Sequence, residues 1–133
     1  MSRPSVRTVA IIDDDEDMRQ AIRRVLEIEG FQTELYASAE AFLDSGAASR
    51  VQCLVLDIRL PGMSGIDLHE RLLSANCSIP TIFITAHADL YARRLSERGM
   101  HCLAKPFLGV TLIDKVTTAI ARHTSDLPTR PEG

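Results

Sequence analysis

The sequence predicts an α/β fold, a doubly wound parallel sheet of five strands with helices on both faces. Three observations predict it. Short apolar runs alternate with segments of helical apolar spacing along the chain. Several runs are close to continuously apolar, as strands covered on both faces require. Four of them end in polar residues, Asp13-Asp14, Asp57, Thr85 and Lys105. An open α/β sheet that gathers its chemistry at the carboxyl ends of its strands has this pattern.

The first strand is Val9-Ala10-Ile11-Ile12, which runs into Asp13-Asp14-Asp15. Met18, Ala21, Ile22, Val25 and Leu26 then recur at helical spacing until Gly30 ends the helix. Gln32 to Tyr36 reads as the second strand, and Ser38 caps a short helix through Phe42 and Leu43 that Gly46 closes. The third strand is the run from Val51 to Leu56, ending at Asp57 and followed by the turn Ile58-Arg59-Leu60-Pro61-Gly62. Ser64, with Asp67 three positions on, is an N-cap for a helix carrying Ile66, Leu72 and Leu73. Ile79 to Ile84 is the fourth strand, with Pro80 near its start, where a missing donor is tolerated. A weakly amphipathic helix from Asp89 to Arg98 precedes Gly99, and Met100 to Ala104 is the fifth strand. The last helix carries Leu112, Ile113, Val116 and Ile120 and ends near His123. Residues 124–133, rich in proline and polar groups, are expected to be a flexible C-terminal tail. Five βα units with right-handed crossovers imply a flavodoxin-like sandwich of strand order 2-1-3-4-5. Strands one and three are neighbours in that order, so Asp13, Asp14 and Asp57 share one pocket.

At 133 residues, 45% hydrophobic and 25% charged, the chain has the balance of one globular domain. A net charge of −3 argues against a broad nucleic-acid surface, which needs a concentrated basic face. No apolar stretch approaches the roughly 18 residues that span a bilayer. Cys53, Cys77 and Cys102 are unpaired in spacing and read as small apolar residues in a reducing, cytoplasmic setting. His69, His87, His101 and His123 are scattered singly and form no zinc-like pair.

Three carboxylates in one pocket repel by roughly 4 kcal/mol per pair at 4 Å with an effective dielectric near 20. A cation offsets this without protonation, and an all-oxygen set favours Mg²⁺ or Mn²⁺ over zinc. Such an ion keeps waters that phosphate oxygens can replace, so phosphoryl chemistry is the natural expectation. Asp57, the lone carboxylate ending its strand, is the candidate nucleophile. Lys105 supplies a compact point charge and Thr85 a hydroxyl donor. Each element also has a plainer reading. The acidic run suits a solvated loop or a helix N-terminus, Lys105 a surface turn, and Thr85 a helix cap.

Together these residues resemble the receiver domain of two-component response regulators, from Val9 to about Arg122. The matching motifs are Ile11-Ile12-Asp13-Asp14-Asp15, the run from Leu54 through Asp57 to Gly65, Ile84-Thr85-Ala86 and Lys105-Pro106-Phe107. The resemblance implies a receiver domain over residues 1–123 that acts as a switch and catalyses only its own phosphorylation and dephosphorylation. Asp57 would accept a phosphoryl group from a sensor histidine kinase or phosphotransfer protein. Mg²⁺ would be held by Asp14 directly, Asp13 mostly through water, Asp57 and the backbone carbonyl of Arg59. Lys105 would pair with the phosphoryl group across a cis Lys105-Pro106 bond. Thr85 would move toward the phosphate and couple it to the face of the fourth helix and fifth strand. Arg59 and His87 side chains would tune phosphoryl lifetime.

Two departures fall on that output face. Cys102 stands where such domains usually place Tyr or Phe, and the segment between Thr85 and Lys105 is slightly short, mainly in the fourth helix. The resemblance further implies a downstream protein partner, with homodimerisation on phosphorylation one outcome. No effector domain follows the last helix, so this chain alone is not expected to bind nucleic acid. The resemblance implies either a single-domain regulator or a part of a longer one. Two other functions stay open: a degenerate receiver used only for protein contact, and a small phosphatase of the haloacid dehalogenase class using Asp13 and Asp15.

Overall fold

A computed structural model describes residues 7–126 and contains all five predicted strands and the helices between them. The elements are β1 (Thr8–Ile12), α1 (Glu16–Ile28), β2 (Gln32–Tyr36), α2 (Ala39–Ser45), β3 (Cys53–Asp57), α3 (Gly65–Ser74), β4 (Thr81–Thr85), α4 (Ala88–Glu97), β5 (His101–Ala104) and α5 (Gly109–Asp126). All four strand pairings are parallel and the order is β2-β1-β3-β4-β5, as expected.

The central strands are buried throughout because each face is covered. Successive side chains point to opposite faces. Val9, Ile11, Cys53, Val55, Ile82 and Ile84 meet Ile22 and Leu26 of α1 and Leu112, Val116 and Ala119 of α5. Ala10, Ile12, Leu54, Leu56 and Phe83 meet Phe42 of α2, Leu68 and Leu72 of α3 and Leu95 of α4. Burying one Leu or Phe in either layer contributes about 1.5–3 kcal/mol. These two half-cores hold the strand ends in register, and the register carries the site. Ile12 pairs with Leu56 and Asp57 with Ile84, while Thr85 pairs with Ala104.

Local signals act where expected. Ser38 Oγ accepts from Ala41 N and Ser64 Oγ from Asp67 N, each at 3.0 Å. Gly46 ends α2 at φ +75°, where a side chain is strained. Some boundaries move. Val51 and Gln52 precede β3: Val51 N bonds Ala47 O at 3.2 Å, just past a 3₁₀ turn over Ala47–Ser49 that Arg50 N closes on Ala47 O at 2.9 Å and that the sequence reading lacks. β4 begins after Pro80, and Met100 N closes the end of α4 on Leu95 O at 2.9 Å instead of entering β5. Leu73 is 49% exposed, so the buried face of α3 is Gly65, Leu68 and Leu72. α5 continues to Asp126, past the expected end near His123, and residues 127–133 lie outside the described residues.

Gly65 is where the fold permits no side chain. A Cβ there would overlap the Asp57 carbonyl oxygen and lie 3.1 Å from Ile58 Cα. All of these neighbours are backbone and cannot swing away. Gly65→Ala is therefore expected to cost about 1–3 kcal/mol. Urea unfolding measures this, and an unchanged midpoint would contradict the close approach of α3 to β3.

Candidate functional site

The end of β1, the end of β3 and the turn after β5 meet at the carboxyl edge of the sheet, at the switch point of the strand order. One carboxylate oxygen from each of Asp13, Asp14 and Asp57 lies within 4.8 Å of the other two. Asp13 is fully buried and Asp57 is 6% exposed, whereas Asp14 faces solvent. Lys105 Nζ donates to Asp13 Oδ2 at 2.8 Å and to Asp57 Oδ2 at 3.1 Å. The second oxygen of each buried acid also has a donor. Asp15 N donates to Asp13 Oδ1 at 2.9 Å, and Arg59 N donates to Asp57 Oδ1 at 3.1 Å.

Burial raises the Asp57 carboxyl above its ordinary range and the charge of Asp13 adds to this, against the opposing pull of Lys105 and the Arg59 amide. Burial alone would lower the Lys105 ammonium, but hydrogen bonds and charge from Asp13 and Asp57 outweigh it and raise its pKa. Three carboxylates and one ammonium leave two negative charges without a partner in the cluster. The donor set is entirely oxygen, so the residues fit a hard divalent cation in both charge and chemistry.

Of the expected site residues, the structure brings together Asp13, Asp14, Asp57 and Lys105. Arg59 enters through its backbone N–H, with its side chain exposed. Thr85 is buried one position beyond Ile84, the partner of Asp57, and its hydroxyl accepts from His87 N at 2.9 Å. It thus closes a two-residue turn ahead of α4, whose N-cap is His87, and is not itself a helix cap. The Lys105-Pro106 bond is cis. Cys102 is half-buried and packs with Tyr91 and Met100 against the α2–α4 core layer.

The acidic run after β1 divides by role. Asp15 Oδ1 accepts from Asp17 N and Met18 N, so it caps α1, and Glu16 and Asp17 lie in the first turn. The second acid that the phosphatase reading needs thus has its Oδ1 engaged by the helix. One contact absent from the sequence reading is Arg19, whose Nη1 donates to the Asp13 carbonyl at 2.7 Å. Its position one turn into a helix that follows the acids is the only trace it leaves in the sequence.

A five-stranded doubly wound sheet with paired acids, a lysine and a threonine on its carboxyl edge defines a small α/β signalling domain. The chain belongs to the response regulator receiver domain family, whose profile matches residues 9–117. It is 36% identical over 116 residues to nodulation protein W of Bradyrhizobium diazoefficiens, covering 86% of this chain and 51% of that protein. It is 34% identical over 114 residues to the transcriptional regulatory protein FixJ of Rhizobium meliloti, covering 84% of this chain and 56% of that one. The chain thus spans about half the length of both curated relatives. Among solved structures, the response regulator StyR superimposes with a TM-score of 0.79 at 37% identity, over 92% of this chain and 67% of that one. Among the described residues no helix is long and apolar enough to cross a membrane.

The raised Asp57 carboxyl has a measurable consequence in metal-free protein. A group whose pKa is higher in the fold than in the unfolded chain adds stability only below its ordinary value, 3.8 for Asp, and loses it as pH rises through the folded value. Ionised Asp57 is therefore a net burden on the fold at neutral pH. Asp57→Asn should raise the thermal midpoint at pH 7 in EDTA, with the gain shrinking as pH falls toward 3.8. Thermal melts across that range check it, and a destabilised Asp57→Asn at pH 7 would contradict the electrostatics.

Proposed function

We propose that this domain is a phosphorylation switch in which Asp57 accepts a phosphoryl group from the phosphohistidine of a sensor histidine kinase or phosphotransfer protein. The observation that carries the reading is Lys105 Nζ held between Asp13 Oδ2 and Asp57 Oδ2, at 2.8 and 3.1 Å. A structural ion pair has no need of a second buried acid, whereas a site for a dianionic phosphoryl group and its counter-ion does. An Asp57 oxygen attacks phosphorus, the P–N bond of the phosphohistidine breaks and an acyl phosphate forms, with the imidazole leaving. Lys105 then exchanges its carboxylate contact for the transferred phosphoryl oxygens, and Thr85 gives up the His87 amide to donate to them. Asp13, Asp14, Asp57 and the carbonyl of Arg59 would hold Mg²⁺, which when bound neutralises charge on the phosphoryl oxygens.

Loss of the Thr85 bond to His87 N alters the start of α4, and the surface formed by α4 and β5 becomes the output. The output partner is a downstream protein or a second copy of the domain. Free Cys53, Cys77 and Cys102 suit a reducing cytoplasm, and burial pushes the Cys53 thiol up to about 12, which keeps it inert. Retention of the buried acids favours this reading over a contact module released from chemistry, since burying like charges carries a standing cost.

Intact mass after incubation with acetyl phosphate and Mg²⁺ tests the proposal. Wild type should gain one phosphoryl group and Asp57→Asn none, while Lys105→Ala should retain some uptake but lose the conformational response. Absence of uptake from both acetyl phosphate and a histidine phosphodonor would sink the reading in favour of the contact module.

Metal binding is separately measurable. At Mg²⁺ one hundred times its dissociation constant the fold should gain about 2.7 kcal/mol. Asp14→Ala should lose most of that gain in thermal melts with and without Mg²⁺, and normal phosphoryl uptake by Asp14→Ala without metal would overturn the site assignment.

A further inference from the structure

The loop that joins β3 to α3 begins on the reactive carboxylate, because Arg59 N donates to Asp57 Oδ1 at 3.1 Å. It turns back through Gly62 at φ +76° and ends where Ser64 caps α3. What holds the turn comes from a different layer of the sequence. Glu40, in the first turn of α2, accepts from Met63 N through Oε2 at 2.9 Å, across 23 residues of chain. A Cβ added at Gly62 would stand 2.5 Å from the same oxygen, so the carboxylate lies directly against the glycine backbone. Among the described residues, this is the one hydrogen bond that ties residues 59–63 to anything beyond the strand and helix they join.

The bond has the features of a deliberate clamp. It is charge-assisted, since the Met63 amide, helped by the backbone amide of Glu40, holds the Glu40 carboxyl below its usual range. The carboxylate sits in the first turn of a helix, where negative charge is favoured. Leu60 and Met63 already pack against the core, so the loop does not need Glu40 in order to fold. What apolar packing leaves free is the exact aim of the peptide at Asp57, because such contacts are not directional.

We propose that Glu40 is a positioning residue for the Asp57 site: by clamping the Gly62–Met63 turn it keeps the Arg59 amide on Asp57 Oδ1. For its effect on phosphoryl transfer the proposal rests on the phosphoacceptor reading, but the clamp itself is readable without it. Glu40→Gln retains an oxygen that accepts from Met63 N, Glu40→Ala removes the acceptor, and Gly62→Ala pushes it away.

The test combines amide hydrogen exchange at Met63 and Arg59 by NMR, in metal-free protein, with Mg²⁺ titration and acetyl phosphate uptake. Glu40→Ala and Gly62→Ala should speed exchange at both amides and weaken Mg²⁺ about three- to tenfold, with phosphoryl uptake slowed in step. Glu40→Gln, which keeps an acceptor for Met63 N but loses the charge assistance, should fall between wild type and Glu40→Ala in each measurement. A wild type that takes no phosphoryl group, with Glu40→Ala still loosening Arg59, would remove the phosphoacceptor reading and support the clamp. A wild type that is phosphorylated, with Arg59 exchange and Mg²⁺ affinity unchanged in Glu40→Ala, overturns the clamp. So does a Glu40→Gln variant as impaired as Glu40→Ala, because charge and not the bond would then be acting.

Discussion

Two aspartates buried side by side, Asp13 fully and Asp57 all but fully, are the constraint around which the rest of this domain is arranged. Both have little contact with solvent, so their repulsion is less screened than at the surface and must be met locally. Lys105 meets part of it by standing between them, and backbone amides from Asp15 and Arg59 bond the other oxygen of each acid. No buried side-chain polar atom among the described residues is left without a partner. The cluster is satisfied in hydrogen bonds yet unbalanced in charge. That combination suits a site whose state is set by ions that come and go.

The scaffold delivers these groups by register instead of by loop design. Lys105 N bonds Thr85 O at 2.8 Å just past the end of the β4–β5 pairing, so the lysine is launched from the sheet edge itself. α3 approaches β3 so closely that Gly65 N reaches Ile58 O at 2.8 Å, which fixes where the loop after Asp57 must close. The site rests on strands held by two apolar layers, while α4 buries Leu95 alone and has no side-chain cap of its own. A helix so thinly anchored sits toward the low end of local stability, and it adjoins the Thr85 hydroxyl. Tyr91 of α4 packs with Cys102 and Met100 against the same core layer as Leu95.

The legibility of the sequence follows the range of the interaction concerned. The continuous apolar runs, the caps at Ser38 and Ser64 and the positive-φ turn at Gly46 depend on neighbours within a few residues, and each reads directly. The convergence of Asp13, Asp14, Asp57 and Lys105 also reads, because five βα units suit a flavodoxin-like sheet whose usual order makes β1 and β3 neighbours. Ends that depend on competition between partners do not read. Val51 bonds a 3₁₀ turn in place of the sheet, and Met100 closes a helix in place of opening a strand. Leu73 has the hydrophobicity of a core residue, but the rotation of α3 gives that place to Leu68.

By itself the sequence determined the class of fold, the strand order and the acids and lysine of the site, since periodicity and residue chemistry are local properties with few compatible topologies. Tertiary structure alone decided how the acids are shared: Asp13 inward to Lys105, Asp14 outward to solvent, Asp15 to the cap of α1. It also decided that Glu40, an ordinary helical acid in sequence, reaches the loop beside Asp57. Three adjacent aspartates are chemically identical until packing assigns each a direction, a dielectric and a partner, and those come only from the rest of the folded chain.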